Sequence, residues 1–101
     1  MQPFMIYFTI NNYNNANNLV KKLLNDNFIS CANIFNNIKS VYKWKDELIT
    51  DEEIVVIAKT IKNPKDVIDC IKNNHPYDIP CIVSYKISDI DEDYFKWMRN
   101  N

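Results

Sequence analysis

The spacing of hydrophobic positions changes along the chain, and each change marks an element. Phe4 to Ile10 is a continuous apolar and aromatic run closed by Asn11-Asn12, which predicts a buried strand. Ala16, Leu19, Val20, Leu23 and Leu24 then share one helical stripe, with Lys21, Lys22 and Asn25 off it. That stripe predicts a helix over 13–27 with Asn14 or Asn15 as N-cap. Ile29 to Phe35 reads as a second strand, and Asn36-Asn37 as a bend or bulge within it. Beyond the bend, Ile38, Ser40, Tyr42 and Trp44 alternate with Lys39, Val41, Lys43 and Lys45, giving one aromatic and apolar face and one mostly basic face.

Lys45-Asp46-Glu47 predicts a turn, followed by a third strand over Leu48 to Thr60. Its centre, Ile54 to Ala58, is apolar at every position, as in a strand covered on both sides. Asn63 at N-cap, Pro64 at N1 and Asp66 in the first turn open a second helix over 63–74, with Val67, Ile68 and Ile71 as its stripe. His75-Pro76 stops it, because proline disfavours helix in the residue before it. Ile79 to Ile87 reads as a fourth strand, and Asp91 to Met98 as a short helix whose acidic start suits its positive end.

The order β-α-β-β-α-β plus a terminal helix predicts an α+β, ferredoxin-like single domain over 1–101: an antiparallel sheet with two helices on one face. The second and third strands are out of proportion to it. At about 3.3 Å per residue, strands of roughly fifteen residues would each run close to 50 Å, against a radius of gyration of about 13 Å for a domain of this size. The middle ribbon should therefore bend or project. A projecting ribbon exposes Tyr42 and Trp44 and leaves unpaired edges unless another copy covers them.

Composition sharpens this picture in three places. The chain has 101 residues, with 12 basic and 13 acidic side chains, a net charge of -1. That balance argues against nucleic acid and against an anionic membrane as partners. Glycine is absent, which excludes the usual P-loop, dinucleotide fingerprint and nucleophile elbow, and leaves asparagine, aspartate and proline to make the turns. Cys31, Cys70 and Cys81 are odd in number with no CxxC, neither a disulfide framework nor a zinc ribbon; free thiols fit a reducing cytoplasm. No stretch is long and apolar enough for a membrane span, and the N-terminal run lacks the marks of a signal peptide.

Three segments bear a close resemblance to the CutA family, the divalent-cation-tolerance proteins: Ser30-Cys31-Ala32-Asn33-Ile34, Ser40-Val41-Tyr42-Lys43-Trp44-Lys45, and His75-Pro76-Tyr77-Asp78-Ile79-Pro80. Tyr94-Phe95-Lys96-Trp97 resembles the family's terminal helix, so the likeness runs from Met5 to Met98. The resemblance implies a cytoplasmic homotrimer of ferredoxin-like subunits, assembled like the PII signalling proteins and linked to tolerance of copper and other divalent metals. The chain departs from the family pattern where HPYxxP is usually followed by glutamate; Cys81 stands there. A cysteine proposed as a ligand in some members, near the end of the first strand, aligns with Phe8.

Candidate chemistry centres on His75, the only histidine. It is a metal ligand or acid/base candidate, with helix capping as the structural alternative. With Cys81 it forms a soft pair suited to copper or zinc, although two ligands do not complete a tetrahedral site and no tightly bound cofactor is expected. Tyr77, Trp44 and Tyr42 are the candidates for lining a ligand cleft between subunits. Asp51-Glu52-Glu53 reads as a solvated start to the third strand, and Cys31 and Cys70 as structural thiols. No oxyanion hole is recognisable, so the expectation is a non-enzyme. The leading reading is a metal-response homotrimer; its rival is a PII-like regulatory module binding a metabolite or a protein partner.

Overall fold

A computed structural model describes residues 1–101. The elements are β1 (Phe4–Ile10), α1 (Tyr13–Asn25), β2 (Cys31–Trp44), β3 (Glu47–Thr60), α2 (Pro64–Asn73), β4 (Ile82–Lys86) and α3 (Glu92–Arg99). They form the expected α+β arrangement, one four-stranded antiparallel sheet in the order β2-β3-β1-β4. Ile6, Phe8 and Ile10 of β1 and Ile54, Val56 and Ala58 of β3 point to one side of the sheet, where α1 and α2 bury them. Strand alternation sends Tyr7 and Thr9, with Val55 and Ile57, to the other side, the open face.

Element ends differ from the sequence expectation for local reasons. The N-cap of α1 is Asn12, not Asn14 or Asn15: its side chain accepts the Asn15 N–H at 2.8 Å. The helix stops at Asn25 because Asn27 turns left-handed, at φ 62°. The Phe28 and Asn27 N–H groups then close back on the Leu23 and Leu24 carbonyls, a Schellman ending with asparagine in the place of glycine. The same closure also ties the Ile29 N–H to Leu23, so β2 starts at Cys31. Asn63 caps α2 as expected, accepting from Lys65 at 2.9 Å, with Pro64 at its first position. The strand expected over Ile79 to Ile87 shortens to Ile82–Lys86: Pro80 has no N–H for a ladder, and Ile79 is exposed.

The ribbon projects. β1 pairs only with the Ile54 to Thr60 half of β3, so from Ile38 and Glu53 outward β2 and β3 continue as a two-stranded hairpin. The molecule measures 46 × 26 × 23 Å, with a radius of gyration of 14.3 Å. The register shifts between Phe35 and Ile38, where Asn37 has φ 60°. Lys45 and Asp46 make the tip turn, both at positive φ, the backbone of a two-residue hairpin. Pairing along the hairpin places Tyr42, Ile49, Trp44, Asp51 and Glu53 on one face, continuous with the open face of the sheet. Phe35, Val83 and Tyr85 of that face are also exposed.

Candidate functional site

The segment from His75 to Cys81 carries the chain from the end of α2 to the start of β4. His75 pins it. The ring Nε2–H donates to the Thr9 carbonyl at 2.7 Å, and Nδ1 accepts the Tyr77 backbone N–H at 3.1 Å. This pair of bonds sets one tautomer and uses both ring nitrogens. The ring also stands edge-on to Phe8, at 6.3 Å between centroids, and to Tyr77, at 4.7 Å. Its side chain does not cap the helix; the His75 backbone N–H and the Asn74 side chain bond the Lys72 and Cys70 carbonyls instead.

Tyr77 reaches the open face, where its hydroxyl donates to Glu53 Oε2 at 2.8 Å. Glu53 is only 8% exposed, so it is not part of a solvated strand start; Asp51 and Glu52 are, and Glu52 pairs with Lys39. A buried carboxylate needs a donor, and the phenol supplies it. Burial, then the bond to Glu53, holds the Tyr77 hydroxyl well above the ordinary phenol value of 10.0. The sign follows. The unfolded tyrosine ionises from about pH 10 while the folded one keeps its proton, so stability is complete below that pH and falls above it. Tyr94, pushed up to about 12 mainly by burial, acts in the same direction. Urea denaturation between pH 8 and pH 11 should therefore show a falling midpoint, with a smaller fall in Tyr77→Phe than in the native protein.

Tyr42 donates its hydroxyl to Asp51, two residues before Glu53 on the same strand face. Two phenol–carboxylate pairs thus lie in line on the open face. Trp44 does not join them within one chain. It sits six residues beyond Ile38, the partner of Glu53, which is about 20 Å along the ribbon. Cys81 is exposed, and its carbonyl accepts the Thr9 N–H at 3.4 Å. This extends the Phe8–Ile82 register by one pair and places Cys81 on the open-face side with Thr9, not in the core with Ile79, which is itself exposed.

His75 and Cys81 therefore meet at Thr9, one through the ring and one through the backbone. No group of three or more His, Cys, Asp or Glu side chains in the chain is placed to hold a metal ion. Sequence reasoning placed His75, Tyr77 and Cys81 in one region and missed Glu53. The signal available for Glu53 was its place at the edge of the apolar run Ile54 to Ala58, where a carboxylate needs a fixed partner.

The chain is similar to known proteins over nearly its whole length. Residues 4–101 match the family described as CutA1 divalent ion tolerance protein. The divalent-cation tolerance protein CutA of Pyrococcus horikoshii is 34% identical over 95 residues, covering 93% of this chain and 92% of that protein. The Thermotoga maritima protein of the same name is 33% identical over 98 residues, covering 96% of each. The crystal structure of the divalent ion tolerance protein CutA1 from Ehrlichia chaffeensis superposes with a TM-score of 0.92 at 32% identity, over 97% of this chain and 92% of that one. CutA1 from Oryza sativa gives 0.94 at 27% identity, over 99% and 93%. With fold, motifs and nearly full-length similarity in agreement, the chain belongs to the CutA1 divalent ion tolerance protein family.

Proposed function

We propose that this protein is a non-catalytic, cytoplasmic homotrimer that takes part in the response to divalent metal ions. The observation that carries the assembly is the open sheet face. Phe35, Tyr42, Trp44, Val83 and Tyr85 all lie on it with substantial exposure, and the sheet order leaves β2 and β4 as unpaired edges. Edges of this kind are templates for pairing with another chain, and an exposed apolar face marks an interaction surface. Three copies joined through ribbon and edge bury both, and bring the Trp44 of one ribbon to the Tyr77 region of a neighbour. The free thiols Cys31, Cys70 and Cys81 suit a reducing compartment.

In this reading copper or zinc is a passing ligand, not a tightly held cofactor. Cys81 is the exposed soft donor, and further donors come from the adjoining copy. His75 contributes only when its bond to Thr9 opens. Its committed ring nitrogens also support a non-catalytic role, since a general base needs a free one.

Titration calorimetry with copper, zinc and magnesium on the native protein, Cys81→Ser and His75→Ala tests the site. The expected result is saturable copper or zinc binding, weak magnesium binding, and loss of at least tenfold in affinity in Cys81→Ser. Unchanged affinity in both variants removes the site. A tight organic ligand captured from a metabolite pool, without metal binding, favours the rival PII-like regulatory module, with Tyr77, Tyr42 and Trp44 lining the cleft.

A further inference from the structure

The helix layer carries a groove of its own, on the side of the sheet away from the open face. Asn15, Asn18, Leu19 and Lys22 recur at helical spacing along one face of α1, and Asn73 and Asn74 at the carboxyl end of α2 form the facing bank. The space between them is about 420 Å³. That lies within the size range of small-molecule clefts, roughly 300–1,000 Å³. An assembly joined through the open face, ribbon and edges leaves this side in solvent.

Carboxamides set the chemistry of the groove. The Asn15 side chain donates to Asn11 Oδ1 at 2.9 Å, and the Asn74 side chain to the Cys70 carbonyl at 2.8 Å, which leaves the oxygen of each free to accept. Asn18 and Asn73 are exposed, and their carboxamides bond no other group of the chain. Each therefore offers donors and an acceptor together. Lys22 is the only lysine, arginine or carboxylate on the lining, and Asp26 pairs with it at 3.1 Å.

This lining argues against three ligand classes. An anion would meet one cation, already paired, beside the negative end of the α2 dipole. A planar heterocycle would find no free aromatic platform, because His75, the one aromatic ring on the lining, is committed to Thr9, Phe8 and Tyr77. An extended peptide needs pockets for its side chains. Leu19, the one branched aliphatic side chain on the lining, is buried and offers none.

We propose that the groove between α1 and the end of α2 binds an uncharged, hydroxylated small molecule of mono- or disaccharide size. Each hydroxyl both donates and accepts, as the carboxamides facing it do. Asn18 and Asn73 hold the ligand from opposite banks, while the oxygens of Asn15 and Asn74 accept from it. Ligand hydroxyls replace groove water bond for bond, so affinity is modest, roughly millimolar.

The test uses the intact, isotope-labelled protein and five probes, glucose, galactose, N-acetylglucosamine, maltose and trehalose, each titrated to about 20 mM. Side-chain carboxamide signals are followed by NMR. At least one probe should shift the Asn18 and Asn73 signals saturably and leave that of Asn25, exposed on α1 outside the groove, in place. Asn18→Ala and Asn73→Ala should each weaken that probe about fivefold, the usual loss of one hydrogen bond, and Asn25→Ala should not. Alanine is the better helix former, so these variants keep the fold. The absence of a saturable shift at Asn18 and Asn73 with every probe overturns the proposal. So does native affinity in the Asn18→Ala, Asn73→Ala double variant. A stronger response of the same signals to inorganic phosphate or to adenosine also overturns it, because the groove would then be an anion or base site.

Discussion

Phe8→Ala should lower the stability of the protein by about 3–5 kcal/mol, the usual cost of truncating a buried phenylalanine. The ring has no solvent exposure, faces the helices from the middle strands of the sheet, and lies opposite Val56. Its removal also takes away the edge contact that His75 makes in pinning the 75–81 segment. The loss should therefore appear both in the denaturation midpoint and as faster amide exchange from Tyr77 to Cys81. Phe35→Ala is the control within a single chain. Phe35 is on the open face and 47% exposed, so its truncation leaves the core and that segment intact. Equally fast amide exchange from Tyr77 to Cys81 in both variants would show that the core has been misplaced.

Trp44→Ala should have little effect on the fold of one chain, because the ring stands 51% exposed near the ribbon tip. Its effect should fall on the assembly. If a neighbouring copy buries the ring, truncation costs about 3–5 kcal/mol per subunit, as for other buried aromatics. The two contributions separate by concentration dependence. A subunit contact makes the unfolding midpoint rise with protein concentration, whereas a contact within one chain does not. The expected result is a variant with native circular dichroism that dissociates at concentrations where the native protein stays assembled. A variant that keeps the native mass and the native midpoint at all concentrations would remove Trp44 from the interface.

The sequence carried the sheet because its strands have unmistakable periods. The alternation from Ile38 to Trp44 reads as a strand by its period, and the run of β1 by its short length, its aromatic and β-branched content and the Asn11-Asn12 that closes it. Lengths alone announced the projecting ribbon. What remained hidden depended on backbone states that single residues do not advertise. Asn27 at positive φ ends α1 two residues before its hydrophobic stripe would suggest, and Pro80 trims β4 from the front. The candidate site was legible as a motif but not as a geometry. His75, Tyr77 and Cys81 are close in sequence, yet the ring nitrogens of His75 close on Thr9 and Tyr77 instead of on Cys81. The pairing of Tyr77 with Glu53 spans 24 residues and two elements, a separation that no local pattern encodes.

The central claim is that the open face is a surface between copies of this chain. The most direct measurement is the particle mass in solution at micromolar concentration, by light scattering or sedimentation equilibrium. The account predicts three times the 12.0 kDa mass of the chain, persisting on dilution. A stable particle of 12.0 kDa, folded and unchanged in mass as concentration rises, would contradict it.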